Sequence, residues 1–152
     1  MNQVINIEKM FGIAEELKTR KERREYIIRL QNIMSDFPDE AKIDFPVTHN
    51  FAPGAYARDC FLPIGTLVVG KIHKTEHLNI VNGTCLVATE EGVCKIEGPF
   101  TYTSKAGIQK VVWALTDVYW TTIHLTESTD IEEIESQVIA KDYSEIPLLE
   151  EL

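Results

Sequence analysis

From residue 67 to residue 125 the chain is a succession of short runs, each closed by a residue pair suited to a tight turn. Runs rich in Val, Ile, Thr and aromatic residues fall at 67–72, 78–81, 84–89, 93–96, 100–104, 110–114 and 118–125. Between them stand Asn82-Gly83, Glu91-Gly92, Gly98-Pro99, Ala106-Gly107 and Thr116-Asp117. Glycine and asparagine reach the backbone conformations that hairpin turns require, and proline ends a run by removing a ladder donor. Many short strands at such spacing predict a β-sandwich or a jelly roll.

The flanks follow a different period. From residue 7 to about residue 34 the apolar side chains Met10, Phe11, Ala14 and Leu17, then Tyr26, Ile27, Leu30, Ile33 and Met34, recur at helical spacing without a proline, which predicts one long helix or two. A basic run from Lys18 to Arg24 lies between the two apolar patches. It reads either as a surface for nucleic acid or acidic protein, or as a solvated helix face with Glu22 and Glu25 alternating in charge. Asp36-Phe37-Pro38 ends the helical stretch, and Phe45-Pro46, Pro53-Gly54 and Phe61-Leu62-Pro63 open the β region. After the last run, Asp130 and Glu133 have the spacing of a capping box, so a short helix starts there. Residues 142–152 are acidic with an apolar patch at 146–149, the pattern of an arm that packs on the β domain or on a neighbouring subunit. The expected organisation is an N-terminal helical arm over 1–45, a β domain over 46–127 and a C-terminal helix and tail over 128–152.

Composition bounds the function. A chain of 152 residues, 44% hydrophobic and 26% charged, is one globular domain with a real core. A net charge of -9 argues against duplex DNA as a partner, because phosphate neutralisation needs a positive field. The first residues lack a secretory pattern and no apolar run has the length of a bilayer span, so a cytoplasmic protein without a membrane partner is expected. Cys60, Cys85 and Cys94 form no Cys-x-x-Cys pair, and reduced small hydrophobes account for them.

The chemistry concentrates between Pro63 and Gly83, where His73, Glu76 and His77 lie within five residues between two strand-like runs. This stretch resembles the first signature of the cupin family. Gly83 matches the closing glycine and Glu76 the family's glutamate, whereas Gly70 and Ile72 stand where the family has His-x-His. The second signature resembles the stretch from Ser104 through Gly107 to Lys110, with Lys110 in place of the last metal-binding histidine. With the stretch from Val111 to His124, the chain is similar to small cupin-fold proteins of tailed bacteriophages and prophages. The resemblance implies a mainly β, cupin-like jelly-roll barrel with the helical arm before it and the short helix after it. It also implies a ligand cavity, and a host cytoplasm as the setting.

Two uses of that cavity follow. A divalent metal wants several N or O ligands near 2.0 to 2.2 Å, roughly three or four, and His73, Glu76, His77 and His124 are the candidates. Strand alternation sends Glu76 and His77 to opposite faces, while His73 and His77 share parity. Alternatively, Arg58, Lys71, Lys74, Lys105, Gln109 and Lys110 make the pocket polar and basic, suited to an anionic small molecule such as a phosphate, nucleotide or acidic sugar, with Trp113, Tyr119 or Trp120 as a stacking face. The leading expectation is a small-molecule-binding homo-oligomer of phage origin that sequesters a nucleotide-type ligand or blocks a host protein. The alternatives are a metal-dependent cupin enzyme, an isomerase or oxygenase, and a structural scaffold.

Overall fold

The computed structural model describes residues 6–42 and 44–146, so most of the 146–149 patch and the acidic end of the chain lie outside the described residues. In chain order the elements are α1 (Ile7–Glu16), α2 (Arg20–Ser35), β1 (Val47–Ala52), β2 (Ala55–Leu62), β3 (Leu67–Val69), β4 (Ile72–His73) and β5 (His77–Asn82). There follow β6 (Thr84–Thr89), β7 (Gly92–Glu97), β8 (Phe100–Ser104), β9 (Val111–Ala114), β10 (Val118–Leu125), α3 (Ile131–Val138) and β11 (Ile139–Ala140). The strands form a five-stranded sheet in the order β1-β2-β10-β5-β8, a four-stranded sheet β3-β9-β6-β7 and the pair β11-β4. The pairings are antiparallel. The described residues are therefore mainly β, as the turn spacing predicts, with three α-helices.

The two large sheets face one another across a core drawn from alternate residues. Leu62, Val81, Val118 and Trp120 come from the five-stranded sheet, and Cys85, Val87, Ile96, Val112 and Ala114 from the four-stranded one. Full burial of one such aliphatic side chain contributes about 1.5–3 kcal/mol, so this layer is the main cohesive element. Gly83 closes the β5–β6 turn at φ 110, and a Cβ there would lie 2.3 Å from the Asp117 carbonyl oxygen. Only glycine meets both demands. Among the described residues no helix is long and apolar enough to cross a membrane.

The 67–72 run is broken at Gly70 and Lys71, so that β3 joins the four-stranded sheet while β4 pairs with the C-terminal strand. The N-terminal segment is two helices. The first ends at Glu16 with Leu17 as its C-cap, and Thr19 caps the second: its hydroxyl accepts from the Glu22 amide at 3.1 Å, and the Glu22 carboxylate accepts from the Thr19 amide at 3.3 Å. Phe11, Ala14, Ile27 and Leu30 pack against Ala88 and Val111 on the outer face of the four-stranded sheet. At the other end Asp130 caps α3 through the Glu132 amide at 3.0 Å, but Glu133 accepts from the Ser128 hydroxyl instead of returning to the cap.

The basic run is neither solvated throughout nor a free nucleic-acid face. Arg24 is 8% exposed and Glu90 3%, and the Arg24 guanidinium donates to both Glu90 carboxylate oxygens, at 3.0 and 3.2 Å. Arg20 reaches the same carboxylate at 3.4 Å, Arg23 donates to the Glu90 carbonyl at 3.1 Å, and the Tyr143 ring lies 4.4 Å from Arg24 Cζ. This network bolts α2 to the β6–β7 turn. Removing one partner of a buried pair leaves an uncompensated charge at a cost of about 3–5 kcal/mol. Glu90→Ala is therefore expected to lower the urea-unfolding free energy by about that amount and Glu90→Gln by less; equal stability of Glu90→Ala and the parent would refute the bolt.

Candidate functional site

Register in the five-stranded sheet determines what faces the interior. Tyr56, Arg58, Cys60 and Leu62 of β2 lie opposite His124, Thr122, Trp120 and Val118 of β10. On its other side β10 sets Thr122 opposite Asn79 and Trp120 opposite Val81. Carrying the Ile123–Leu78 pairing one residue further sets His124 opposite His77. The inner face thus changes along the strands, from apolar at Leu62 and Val118 to polar at Tyr56, His124 and His77. Glu76 is exposed and faces away, as alternation requires.

His73 completes the polar end from the short strand β4, whose partner is Ile139 of β11. Its carbonyl accepts the Gly107 amide at 2.7 Å, which ties the first glycine-framed segment to the second. The His73 ring centroid is 4.2 Å from that of His77 and 5.1 Å from that of His124. A set of ring nitrogens, one from each histidine, lies within 4.8 Å of one another.

Lys110 arrives from the opposite sheet. It precedes β9 and shares parity with Val112 and Ala114, which face the core. Its Nζ is 3.3 Å from His77 Nε2. His77 Nδ1 donates to the Thr75 carbonyl at 3.0 Å, so that nitrogen carries the proton and Nε2 keeps the lone pair that Lys110 meets.

A cavity of about 230 Å³ opens beside this cluster. Its polar wall includes Arg58, His73, Lys110 and His124, its apolar wall Leu62, Val112 and Trp120, and Ile134, Glu135 and Val138 of α3 line it as well. Asn79, wholly buried, braces the wall by accepting from Trp120 Nε1 at 3.0 Å and donating to the Ser104 hydroxyl at 2.9 Å.

The cluster is positive in potential and neutral at the imidazoles. Burial, then the neighbouring His77 and Lys110, pushes His73 far below the usual histidine range. Burial and Lys110 bring His77 to about 4, against the Thr75 bond that favours its charged form. His124 is lowered by burial, Lys110 and Arg58, and burial brings Lys110 itself down to about 8. Among the described residues neither Lys110 nor Arg58 forms an ion pair with a carboxylate.

The sequence candidates separate accordingly. Arg58, His73, Lys110, Trp120 and His124 meet at the cavity, and His77 stands behind Lys110. Lys71 is at the rim, 3.9 Å from Glu135. Lys74 turns away to the Ser136 carbonyl and Glu145, and Lys105 is exposed beside a separate cleft. Gln109 is a buried clamp that donates to the Gly70 carbonyl and Gln31 and accepts from the Tyr143 hydroxyl. Trp113 packs on Phe11 under the helices, and Tyr119, 60% exposed, stacks on Phe61 on the outer face. Neither offers the pocket a stacking surface: both have the wrong strand parity. Sequence patterns do not single out Tyr56, Asn79 or Thr122, nor do they carry α3, expected as a short helix, to the cavity, although Asn79 and Thr122 share parity with His77 and His124.

The three histidines suit a transition ion in kind and spacing. Their hydrogen bonding, as arranged, does not. Both nitrogens of His77 are engaged, and Nδ1 of His73 and of His124 is buried without the partner that orients a ligating imidazole. No carboxylate joins them, and the cations Lys110 and Arg58 oppose a further positive charge.

Stability should follow from these protonation states. The unfolded chain protonates its histidines near pH 6.5, whereas the folded chain holds these three neutral to lower pH. The unfolded state therefore binds more protons as pH falls, and stability that is complete above about pH 7 is lost towards pH 5, by at most about 1.4 kcal/mol per pH unit for each histidine. Urea midpoints at pH 7, 6 and 5 should show this, with a shallower slope in the His73→Asn, His124→Asn double variant. An unchanged slope would contradict the assignment of neutral imidazoles.

No family model matches the sequence, and no curated protein matches it. Solved structures do. A salicylate 1,2-dioxygenase from Pseudoaminobacter salicylatoxidans aligns with a TM-score of 0.52 and 12% identity, over 78% of this chain and 34% of that chain. The DMSP lyase DddQ from Ruegeria pomeroyi aligns with a TM-score of 0.50 and 8% identity, over 62% of this chain and 53% of that chain. A cupin domain from Bordetella pertussis is matched at 0.45 and 16% identity, over 56% of this chain and 96% of that chain. This chain thus spans about a third of the dioxygenase and half of the lyase. At these identities the likeness is one of fold alone.

Proposed function

We propose that this chain is a small-molecule-binding protein whose two sheets form the cup of a cupin-like jelly roll, and that the cup takes a compact anion. The observation that carries the reading is Lys110, 9% exposed on the cavity wall beside Arg58, with no carboxylate paired to either cation among the described residues. An unpaired charge held in an apolar cup is costly, and an anionic ligand offsets that cost. A volume near 230 Å³ favours a small carboxylate or phosphate over a whole nucleotide. Lys110 and Arg58 supply the charge, neutral His73 and His124 supply the unpartnered ring nitrogens, and Trp120 and Val112 exclude water. The role is capture of the ligand. In the phage setting that the sequence resemblance implies, capture amounts to sequestration of a host metabolite.

Calorimetric titration with inorganic phosphate, pyruvate and lactate, with glycerol as the neutral control, tests the reading. At least one anion should bind and glycerol should not. Lys110→Met, checked for an unchanged circular-dichroism spectrum, should weaken the binding roughly tenfold or more, the loss of one charge-assisted hydrogen bond. Elemental analysis of the same protein supplies the opposing outcome. A stoichiometric transition metal that disappears in His77→Ala would replace the anion site with a metal site.

A further inference from the structure

Lys110 is placed for more than charge. Its side chain lines the cavity, and its amine lies 3.3 Å from the lone pair of an imidazole whose other nitrogen is fixed by the Thr75 carbonyl. The other lysines near the cavity are held elsewhere: Lys71 lies near Glu135, and Lys74 is held by the Ser136 carbonyl and Glu145. A buried primary amine touching a neutral base, with no carboxylate to hold its proton, is the arrangement that activates a lysine towards carbonyl carbon. We propose that Lys110 captures its ligand covalently, as a Schiff base with a small acid that carries a ketone or aldehyde carbonyl beside its anionic group. The inference rests on the anion-binding reading above.

The step balances within the cluster. The ammonium of Lys110 gives one proton to His77 Nε2, and the freed amine pair attacks the carbonyl carbon, so that a C–N bond forms as the carbonyl π bond breaks. His77 returns the proton to the oxygen, and a further proton from the nitrogen converts that oxygen into water. The C–O bond breaks, and the nitrogen lone pair closes the C=N bond. Amine and carbonyl give imine and water, with no change of oxidation state. His73 and His124 line the same cavity, each has a buried Nδ1 without a hydrogen-bond partner among the described residues, and their rings can bind the carbinolamine hydroxyl or the departing water. Arg58 lines the same cavity and takes the anionic group. The apolar wall at Leu62, Val112 and Trp120 shields the imine from bulk water.

Reductive trapping tests the step. The intact protein is incubated with pyruvate and sodium cyanoborohydride, then digested and mapped by mass spectrometry, with lactate as the anion that lacks the carbonyl. The expected result is one reduced adduct per chain, on Lys110 ahead of every surface lysine, none with lactate, and at least a tenfold loss in Lys110→Arg. Mapping the parent protein needs no variant, so a misfolded Lys110→Arg leaves the test intact. Adducts spread over the surface lysines, or none on Lys110 while pyruvate and lactate bind equally, overturn the covalent step and leave the anion site standing. Failure of pyruvate, lactate and phosphate alike to bind or react overturns both.

Discussion

The Lys110 amine meets the His77 lone pair across the seam between the two sheets, and the pocket is organised around that unmatched charge. Lys110 enters from one sheet and His77 from the other, so their contact exists only when the apolar layer of Val81, Val118, Val87 and Val112 has brought the sheets together. Packing and chemistry are thereby coupled. The dispersive, directionless core fixes the distance between sheets, and the polar end of the same layer is held at the separation the core imposes. Asn79 reinforces the coupling, because its amide ties Trp120 of the apolar layer to Ser104 at the polar margin.

Much of this was legible in the sequence where one local rule was enough. Turn pairs marked the hairpins, alternation sent Glu76 outward and His77 inward, and the shared parity of Lys110 with Val112 and Ala114 carries Lys110 inward. The rest depended on partners that no local window contains. β1 is exposed along its whole length, so it shows no alternation and left no strand signal. Arg24 follows the pattern of a solvated helix face, and only the return of Glu90, distant in the chain, buries it. Trp113 and Trp120 are equivalent as residue types. They part company because β9 has helices on its outer face, so an aromatic of outward parity there is half-buried against α1 instead of exposed.

The fold comparison fits this division between frame and site. The fold is similar, over 62–78% of this chain, to structures 8–12% identical to it, which is what a frame built from alternation and turn chemistry permits. The residues inside the cup are free to change without disturbing it. Here an amine and three imidazoles occupy its polar end, with Glu76 outside.

The C-terminal helix lines the cavity, and the two-residue strand that follows it is the partner of His73. Ile139 pairs with His73, and the Val138 carbonyl accepts the Lys74 amide next to it at 2.7 Å. The apolar lining from α3 and the polar lining from β4 are therefore joined through one short strand. Any displacement that pulls the helix away breaks the pairing that positions the His73 ring, so the two linings move together.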